Sequence, residues 1–235
     1  MADSLSTSIT FEVHDDVAVI RMDDGKANAF GHDAIDGVNA GLERAEAEAK
    51  AVVLVGREGK FSAGFDLSIM AGDDRDARVA LLGDGARLCH RLYMHPQPVV
   101  AAVTGHALAL GALVLASCDL RIGADGPFKI GTNEVAIGMA LPRFGVEVAR
   151  DRLSKRHFTA AVQWARIYDP AGAAEAGWLD TVVAADQVEA TALEAAAGAA
   201  ATLHRGGFKG TRSNARSAVA AAMLEGLEID LAELR

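Results

Sequence analysis

Residues 104–120, TGHALALGALVLASCDL, are the stretch that decides the fold. The apolar run at 99–103 in front of them is typical of a buried strand. The uncharged residues 107–117 predict a core helix that is too short to span a membrane. A strand that turns through Gly105 into a buried helix leaves the first N–H groups of that helix without intrahelical partners, and such groups bind negative charge. One such segment is typical of any α/β core.

A second segment of the same kind favours a functional interpretation of both. Residues 59–67, GKFSAGFDL, follow the apolar run 51–55 and also contain a glycine turn. Unbroken apolar runs of this length are typical of strands that are buried on both faces of a sheet. Two glycine turns after two buried strands therefore indicate more than a core helix.

Composition and charge limit the classes of protein that this chain can belong to. Its 235 residues are 51% hydrophobic but only 5% aromatic, which predicts one large domain, with or without a smaller appendage, and an aliphatic core. The net charge of −9 argues against a nucleic-acid binder, whose affinity comes from neutralising phosphates. An anionic ligand would need a local cluster of basic residues. Cys89 and Cys118 lack CxxC spacing and are predicted to be buried, reduced thiols.

The N-terminal residues and the hydropathy pattern predict the location of the protein. The first residues contain no basic region followed by an apolar stretch, so no signal peptide is predicted. The helix predicted at 187–203 contains Glu189 and Glu194 and is therefore expected to pack on protein rather than to enter a membrane. We expect a soluble cytoplasmic protein that binds no membrane.

Strands and helices alternate along the chain, which predicts an α/β domain. The predicted strands are 9–14, 17–22, 51–55, 99–103, 120–124, 128–130 and 178–183. The first predicted helix begins near His32 or Asp33, and further helices are predicted at 75–93, 107–117, 144–153, 157–166, 171–177 and 187–203. Residues 211–234 are predicted to form one or two C-terminal helices. Residues 56–70 are predicted to be a loop, and Gly206-Gly207 is predicted to be a hinge.

Several familiar motifs are absent or incomplete in this sequence. Gly83 and Gly85 lack the third glycine and the preceding strand of a dinucleotide site, and no phosphate-binding P-loop motif occurs. Ser62 is one residue out of register with a serine-hydrolase elbow. His90 and His95 do not share one helix face, which argues against zinc. The sequence therefore requires no metal and no separate cofactor.

Five short segments, in order, resemble the crotonase (enoyl-CoA hydratase/isomerase) superfamily. The segments that carry the resemblance are KANAF at 26–30, FSAGFDL at 61–67, PVVAAVTG at 98–105 with Asp119, EVAIG at 134–138 and AAEAGWLD at 173–180. Each segment is weak evidence alone, but the ordered set is specific. The resemblance covers residues 9–183 and extends toward the C-terminus.

The resemblance implies the fold, the assembly and the class of substrate. It implies an α/β superhelix of ββα units over residues 1–185 and a helical C-terminal region over 186–235, which packs on the core or on a neighbouring subunit. It also implies a homotrimer or homohexamer. The implied substrates are acyl-CoA thioesters that react through an enolate, with coenzyme A as part of the substrate. The protein is then expected to be an enzyme, either a lyase or an isomerase.

The resemblance also implies which residues bind and activate the thioester. By alignment, the backbone N–H groups of Phe65 and Leu110 form the oxyanion hole, and one such donor is worth about 2.7–4 kcal/mol. The small residues Ala63, Gly64 and Ala109 let the ligand approach the backbone. The implied CoA-binding and substrate-binding residues are Lys26, Ala27, Ala63, Asp66, Leu67 and Lys209.

The catalytic glutamates are where this sequence departs from the resemblance. Hydratases of the family use two; the second falls on Glu134, but the first falls on Leu113. One carboxylate is sufficient for a 1,3-proton shift, so isomerisation is favoured. The alternatives are a 2-enoyl-CoA hydratase that uses another acid, for which Glu147 and Asp66 are candidates, and a non-catalytic acyl-CoA binder.

A clamp of basic residues is expected to hold the CoA phosphates on this acidic chain. Lys26 matches a position of the family beside the CoA path, and Arg57 and Lys60 flank the Phe65 loop. Because a basic residue of the C-terminal helices reaches the phosphates in the family, Lys209 or Arg212 is expected to join Lys26.

Overall fold

The computed structural model describes residues 2–234. Its strands are β1 (Asp3–Ser4), β2 (Ile9–His14), β3 (Val17–Met22), β4 (Ala29–Phe30), β5 (Ala51–Val55), β6 (Gly59–Ser62), β7 (Gly64–Phe65), β8 (Val99–Val103), β9 (Gly105–Leu108), β10 (Leu120–Ala124), β11 (Ile130–Gly131) and β12 (Thr181–Val183). Its helices are α1 (His32–Glu48), α2 (Leu67–Met70), α3 (Arg75–Met94), α4 (Leu110–Ser117), α5 (Arg143–Arg152), α6 (Lys155–Val162), α7 (Pro170–Ala176), α8 (Val188–Thr202) and α9 (Arg205–Leu234). Short 3₁₀ turns lie at Val135–Ile137 and Ala185–Gln187.

The central sheet is parallel except at its N-terminal edge. Within residues 2–234 it has seven strands in the order β1-β2-β3-β5-β8-β10-β12, of which β1, β2 and β3 pair antiparallel. The hairpin turn between β2 and β3 uses Asp15 at φ 53°. Every residue of β5 and β8 is buried, as their unbroken apolar sequences predict.

Alternate side chains of the sheet enter two separate apolar clusters. Leu54 and Ala101 point into the larger cluster, which α1, α3 and α4 complete. Val53 and Val100 point into the smaller cluster, which α8 covers. The side chains of α8 that enter this smaller cluster are Val188, Ala192, Ala196 and Ala200. These residues recur every fourth position and so lie on one face of the helix, where the three small alanines let it approach the sheet closely.

A small second sheet carries the residues that precede the candidate site. In it β9 pairs in parallel with β6 and with β11. Gly105 is required there, because a Cβ atom at this position would lie 2.0 Å from the Gly59 carbonyl carbon. The prediction of a helix from residue 107 was wrong at its start, since Ala107 and Leu108 pair with β11 and α4 begins at Leu110. The loop predicted at 56–70 contains β6, β7 and α2.

The C-terminal region packs on the core of its own chain. Helix α9 is continuous over 30 residues and contacts α3 and α5. The hinge predicted at Gly206-Gly207 was therefore wrong, because both glycines lie in the first turn of α9. Two glycines cost a helix roughly 2 kcal/mol relative to alanine. The buried side chains that offset this cost are Ala220, Met223, Leu227 and Leu231.

The remaining predicted boundaries differ from the structure by a few residues. The strand predicted at 178–183 is formed only at Thr181–Val183, because α7 ends at Gly177 in the left-handed conformation and Trp178 is buried behind it. Helix α6 begins and ends earlier than the predicted 157–166. Over residues 2–234, no helix combines the length and the hydropathy that crossing a membrane requires.

Candidate active site

The two glycine turns of the sequence meet in the folded chain. A Cβ atom added to Gly64 would lie 2.8 Å from Ala109 Cβ and 3.3 Å from the backbone nitrogen of Leu110. A Cβ atom added to Gly111 would lie 2.5 Å from the carbonyl oxygen of Ser62. The backbone after β6 therefore lies directly against the first turn of α4, and only glycine permits this distance.

The turn into α4 has an unusual backbone conformation. Ala109 caps the helix at φ 51° and ψ −126°, a region that residues with a Cβ atom rarely adopt. The amides of Ala112 and Leu113 both donate to its carbonyl oxygen, at 3.0 and 3.2 Å. The amides of Leu110 and Gly111 come earlier in the turn and have no intrahelical acceptor. The first turn of α4 therefore contains two N–H groups that no carbonyl of the helix accepts.

Phe65 lies at the same junction, on strand β7. Strand β7 pairs with β4, so that Phe65 is the register partner of Phe30, and the amide of Asp66 donates to the Phe30 carbonyl at 3.0 Å. The ring of Phe65 packs on Gly85 of α3, where an added Cβ atom would lie 2.6 Å from Phe65 Cε1 and 3.0 Å from Leu110 Cδ2. This packing fixes Phe65 beside Leu110.

Glu134 has a buried carboxylate with one unpaired oxygen. Its residue is only 8% exposed, and Oε2 is buried without a hydrogen-bond partner. Burial raises the pKa of Glu134 above its ordinary value of 4.5, although hydrogen bonds from the backbone amides of Glu134 and Asn133 act in the opposite direction. The 3₁₀ turn Val135–Ile137 follows and ends at Gly138 with φ 81°. This turn therefore holds a carboxyl group whose protonated form is favoured by burial.

Glu134 and Phe65 line one cavity of about 660 Å³. This volume is in the range of sites for small organic ligands. Most of its wall is apolar, and the residues that line it are Phe65, Met70, Arg78, Leu82, Glu134, Met139, Ala140, Leu141, Pro142, Arg143, Asp230, Glu233 and Leu234. Leu110 contributes to the site through its backbone at the adjacent junction.

The position of the missing glutamate faces the protein core. Leu113 is 1% exposed, and a Cβ atom added to Gly145 of α5 would lie 2.8 Å from its Cδ1 atom. Of the two candidate replacements, Glu147 lies 3.7 Å from Arg150, and Asp66 caps α2 by accepting hydrogen bonds from Ser68. Neither residue is among those that line the cavity. Leu113 carries no carboxylate, and neither Glu147 nor Asp66 brings one into the cavity that contains Glu134.

The residues predicted to bind CoA are only partly gathered at the site. The amide of Ala63 donates to the Ala27 carbonyl at 3.0 Å, and Arg57 Nη1 donates to the Lys26 carbonyl at 2.8 Å. Lys26 and Ala27 therefore lie beside the Phe65 loop. Leu67 is exposed on α2.

Arg212, one of the two candidates on α9 for the phosphate contact, has a buried side chain. Its guanidinium donates to the His95 carbonyl and pairs with Asp119. Lys209 lies near the opposite end of α9 from Asp230. With a rise of 1.5 Å per residue, the two are about 32 Å apart along the helix. Lys209 therefore does not approach the cavity of its own chain.

Sequence reasoning missed the second half of the cavity wall. The loop 139–142 and the α9 residues Asp230, Glu233 and Leu234 belong to no motif of the resemblance. The only sequence feature that marked this region was Pro142, which precedes the start of α5. Among residues 2–234, no cluster of three or more His, Cys, Asp or Glu side chains is arranged to hold a metal ion.

Known proteins with similar sequences and structures carry the same fold. The enoyl-CoA hydratase/isomerase family profile matches residues 12–230. Human mitochondrial enoyl-CoA delta isomerase 1 is 32% identical over 185 residues, which are 77% of this chain and 61% of that protein. The match thus spans less than two thirds of the length of this relative.

Two solved structures extend the comparison over nearly the whole chain. An enoyl-CoA hydratase/isomerase family protein from Pseudomonas syringae has a TM-score of 0.95 at 37% identity, covering 99% of this chain and 100% of its own. An enoyl-CoA hydratase from Mycobacterium marinum has a TM-score of 0.92 at 34% identity, covering 97% and 100%. The predicted superhelical α/β fold with a helical C-terminal region is confirmed. The chain therefore belongs to the enoyl-CoA hydratase/isomerase family, within the crotonase superfamily.

Proposed function

We propose that this protein isomerises enoyl-CoA thioesters by moving the double bond of the acyl group from C3–C4 to C2–C3. The observation that carries the proposal is the single unpaired carboxylate of Glu134 in the cavity. Asp230 and Glu233 also line the cavity, but both pair with Arg143. Hydration needs a second acid to hold or deliver the proton, whereas a 1,3-proton shift needs one. The similarity to the human isomerase supports the same choice.

In the proposed reaction the backbone holds the oxygen and Glu134 moves the proton. The thioester carbonyl accepts hydrogen bonds from the amides of Phe65 and Leu110. Glu134 removes a proton from C2 of a 3-enoyl thioester, and the electron pair of that C–H bond forms a dienolate. Its negative charge on oxygen is stabilised by the two amides. The proton then returns from Glu134 to C4, which leaves the double bond between C2 and C3.

The surroundings of Glu134 suit this double role. Because burial raises the pKa of Glu134, the ionised form is a stronger base than an exposed glutamate. The apolar wall formed by Met70, Leu82 and Leu141 keeps water away from the dienolate and accepts the acyl chain. Lys26, Ala27 and Ala63 are proposed to contact the CoA moiety at the Phe65 loop, with no separate cofactor.

The oligomeric state and the location are also proposals. A homotrimer or homohexamer would cover exposed apolar side chains such as Trp164, which is 80% exposed. In that assembly Lys209 of one subunit would have to serve the site of another. We propose the cytoplasm as the location.

The direct test follows both reactions with purified protein. Given 3-enoyl-CoA, it should form 2-enoyl-CoA. Given 2-enoyl-CoA, it should form 3-hydroxyacyl-CoA much more slowly, if at all. Glu134→Gln should reduce isomerisation by about 10²–10⁴-fold, the usual contribution of a general base. Glu147→Gln is the matched control and should keep the activity. Fast hydration that is lost on changing Glu147 or Asp66 would contradict the proposal.

Leu113 also fits a second candidate, a non-catalytic acyl-CoA binder. Loss of one catalytic glutamate is what such a protein would show. Glu134 argues against this candidate, because a buried carboxyl oxygen without a hydrogen-bond partner lowers stability and has no use in a protein that only binds. Acyl-CoA binding by calorimetry without turnover of any enoyl thioester would favour the binder.

A further inference from the structure

The last turn of α9 forms one wall of the cavity that contains Glu134. Asp230, Glu233 and Leu234 line it together with Phe65 and the loop 139–142. This wall differs from the rest, because it combines one apolar side chain with two carboxylates. Its position is therefore set by polar contacts as well as by apolar packing.

Two arginines from different parts of the chain hold this turn. Arg143 Nη1 lies 2.5 Å from Asp230 Oδ1, and the Arg143 backbone amide donates to Asp230 Oδ2 at 2.7 Å. The same guanidinium bonds both oxygens of Glu233, at 2.7 and 2.9 Å. Arg75 Nε donates to the Leu234 carbonyl. The end of α9 is thus attached to the first residues of α5 and of α3.

Arg143 also connects this wall to the catalytic segment. It follows the loop 139–142, which lines the cavity after the 3₁₀ turn of Glu134. The backbone of α9 lies close to it, since a Cβ atom added to Gly226 would lie 2.7 Å from Arg143 Cβ. The loop and the helix end therefore cannot move apart unless the Arg143 contacts break.

The two carboxylates hold Arg143 with unequal strength. The side chain of Asp230 is 11% exposed and that of Glu233 is 62% exposed. The Arg143 side chain is 43% exposed, so neither pair is fully buried, but an exposed pair contributes little and the Asp230 carboxylate is the less solvated partner. Asp230 also accepts the backbone amide, which the Glu233 side chain does not. Asp230 is therefore the main attachment of the α9 end.

We propose that the last turn of α9 is the end wall of the acyl pocket, and that the Arg143–Asp230 pair fixes the longest acyl chain that fits. The inference rests on the proposed function in one respect, that this cavity takes the acyl chain. Methylene groups bind favourably until they reach the wall. Beyond it, each further group must displace Leu234 or separate Asp230 from Arg143, and the gain in affinity stops.

The test measures affinity against chain length without requiring turnover. The dissociation constants of saturated acyl-CoAs from four to sixteen carbons are measured by calorimetry. In the unchanged protein, affinity should rise by about fourfold per methylene and then level off at one length. In Asp230→Asn, and in a protein that ends at Ile229, the acyl length at which affinity levels off should increase by two or more methylenes. Affinity for the longest ligands should therefore increase by about tenfold or more.

A matched control separates the wall from general charge effects. Glu228 is an exposed acid on the same helix that does not line this cavity, so Glu228→Gln should keep the original profile. Circular dichroism and thermal melting confirm that each variant folds. If the shortened chain does not fold, Asp230→Asn with Glu233→Gln tests the same wall with side chains of nearly unchanged size.

The outcomes distinguish the wall from the proposed reaction. If folded variants keep the original levelling length, or if affinity in the unchanged protein does not depend on chain length, the wall proposal is overturned. If the length dependence moves as expected but no enoyl-CoA is turned over, the wall stands and the proposed isomerisation fails.

Discussion

Leu113 of α4 packs directly against Gly145 of α5, so that a Cβ atom at residue 145 would lie only 2.8 Å from Leu113 Cδ1. Leu113, to which the resemblance assigns the first glutamate of the hydratases, is therefore part of the apolar core. Leu113 belongs to the larger core cluster together with Phe144 and Val148 of α5. The leucine at this position is thus part of the packing contact between α4 and α5.

This packing predicts that restoring the glutamate damages the fold. Leu113→Glu would bury a carboxylate where no cation is in contact, and it should lower the free energy of unfolding by about 3 kcal/mol or more. Urea unfolding measures the loss. Leu113→Met, which conserves volume, should cost less than about 1.5 kcal/mol. A stable Leu113→Glu variant that hydrates 2-enoyl-CoA would show that this side chain faces substrate.

The raised pKa of Glu134 predicts how activity depends on pH. The ionised carboxylate is the base, so kcat/KM should rise with pH and reach half its maximum above 4.5, the ordinary glutamate value. Initial rates with 3-enoyl-CoA between pH 4 and 8 measure this profile. A midpoint at or below the ordinary value would contradict the assignment of the base.

The same pKa shift predicts a dependence of stability on pH. Between the unfolded and the folded pKa of Glu134, the folded chain keeps a proton that the unfolded chain has lost, so stability falls as pH rises through this window. The stabilising contribution is complete below the unfolded pKa and is lost as pH rises through the folded one. Urea unfolding of Glu134→Gln should lack this part of the pH slope, and an unchanged slope would refute the prediction.

The contact between the glycine turns predicts the effect of a single methyl group. Gly64 has φ +102°, and its Cβ atom would collide with Ala109 Cβ at 2.8 Å and approach the Leu110 nitrogen. Gly64→Ala should therefore move the proposed oxyanion donors apart and lower kcat by about 10²-fold or more. Steady-state kinetics at saturating substrate measures this loss.

Gly59→Ala is the control for backbone strain alone. Gly59 has φ +75° but no atom within 4 Å of an added Cβ. Gly59→Ala should lose about 1 kcal/mol of stability from this strain and keep its kcat. Equal losses of kcat in both variants would mean that the collision at Gly64 is not the cause.

The exposed position of Lys26 beside the Phe65 loop predicts a binding effect without a catalytic one. Phosphates of CoA are remote from the bonds that change, so Lys26→Ala should raise KM several-fold at low salt and leave kcat nearly intact. The difference from the unchanged protein should shrink as salt is added. Lys155→Ala, at the start of α6, is the control and should keep its KM. An unchanged KM in Lys26→Ala would remove this residue from the CoA site.

Local sequence was sufficient where an element depends on its own residues. The runs AVVLV and VVAAV predicted β5 and β8 to the residue, because a strand buried on both faces needs an unbroken apolar sequence. The ordered glycine motifs predicted the superfamily, because the close backbone contacts of β6 and β7 with α4 tolerate only glycine at Gly64 and Gly111.

The start of α4 and the continuity of α9 were decided by tertiary contacts. Residues 107–108 could have continued the helix, but their pairing with Ile130–Gly131 made them a strand. Gly206 and Gly207 were expected to form a hinge, but apolar packing of α9 on α3 and α5 stabilises one continuous helix. In both cases the deciding partner is distant in sequence, so no local pattern contains it.

The sequence by itself determined the family and the two glycine turns, and it predicted Glu134 as the proton carrier. The tertiary structure alone decided that Arg212 is buried on Asp119 and that Arg143 joins Asp230, 87 residues away. Charged side chains follow no periodic sequence pattern that identifies their partners. The sequence therefore does not distinguish an arginine that is solvated from one that is paired or bound to ligand. Its partner is fixed only when helices such as α5 and α9 pack, because an ion pair forms over a few ångströms and not along the chain.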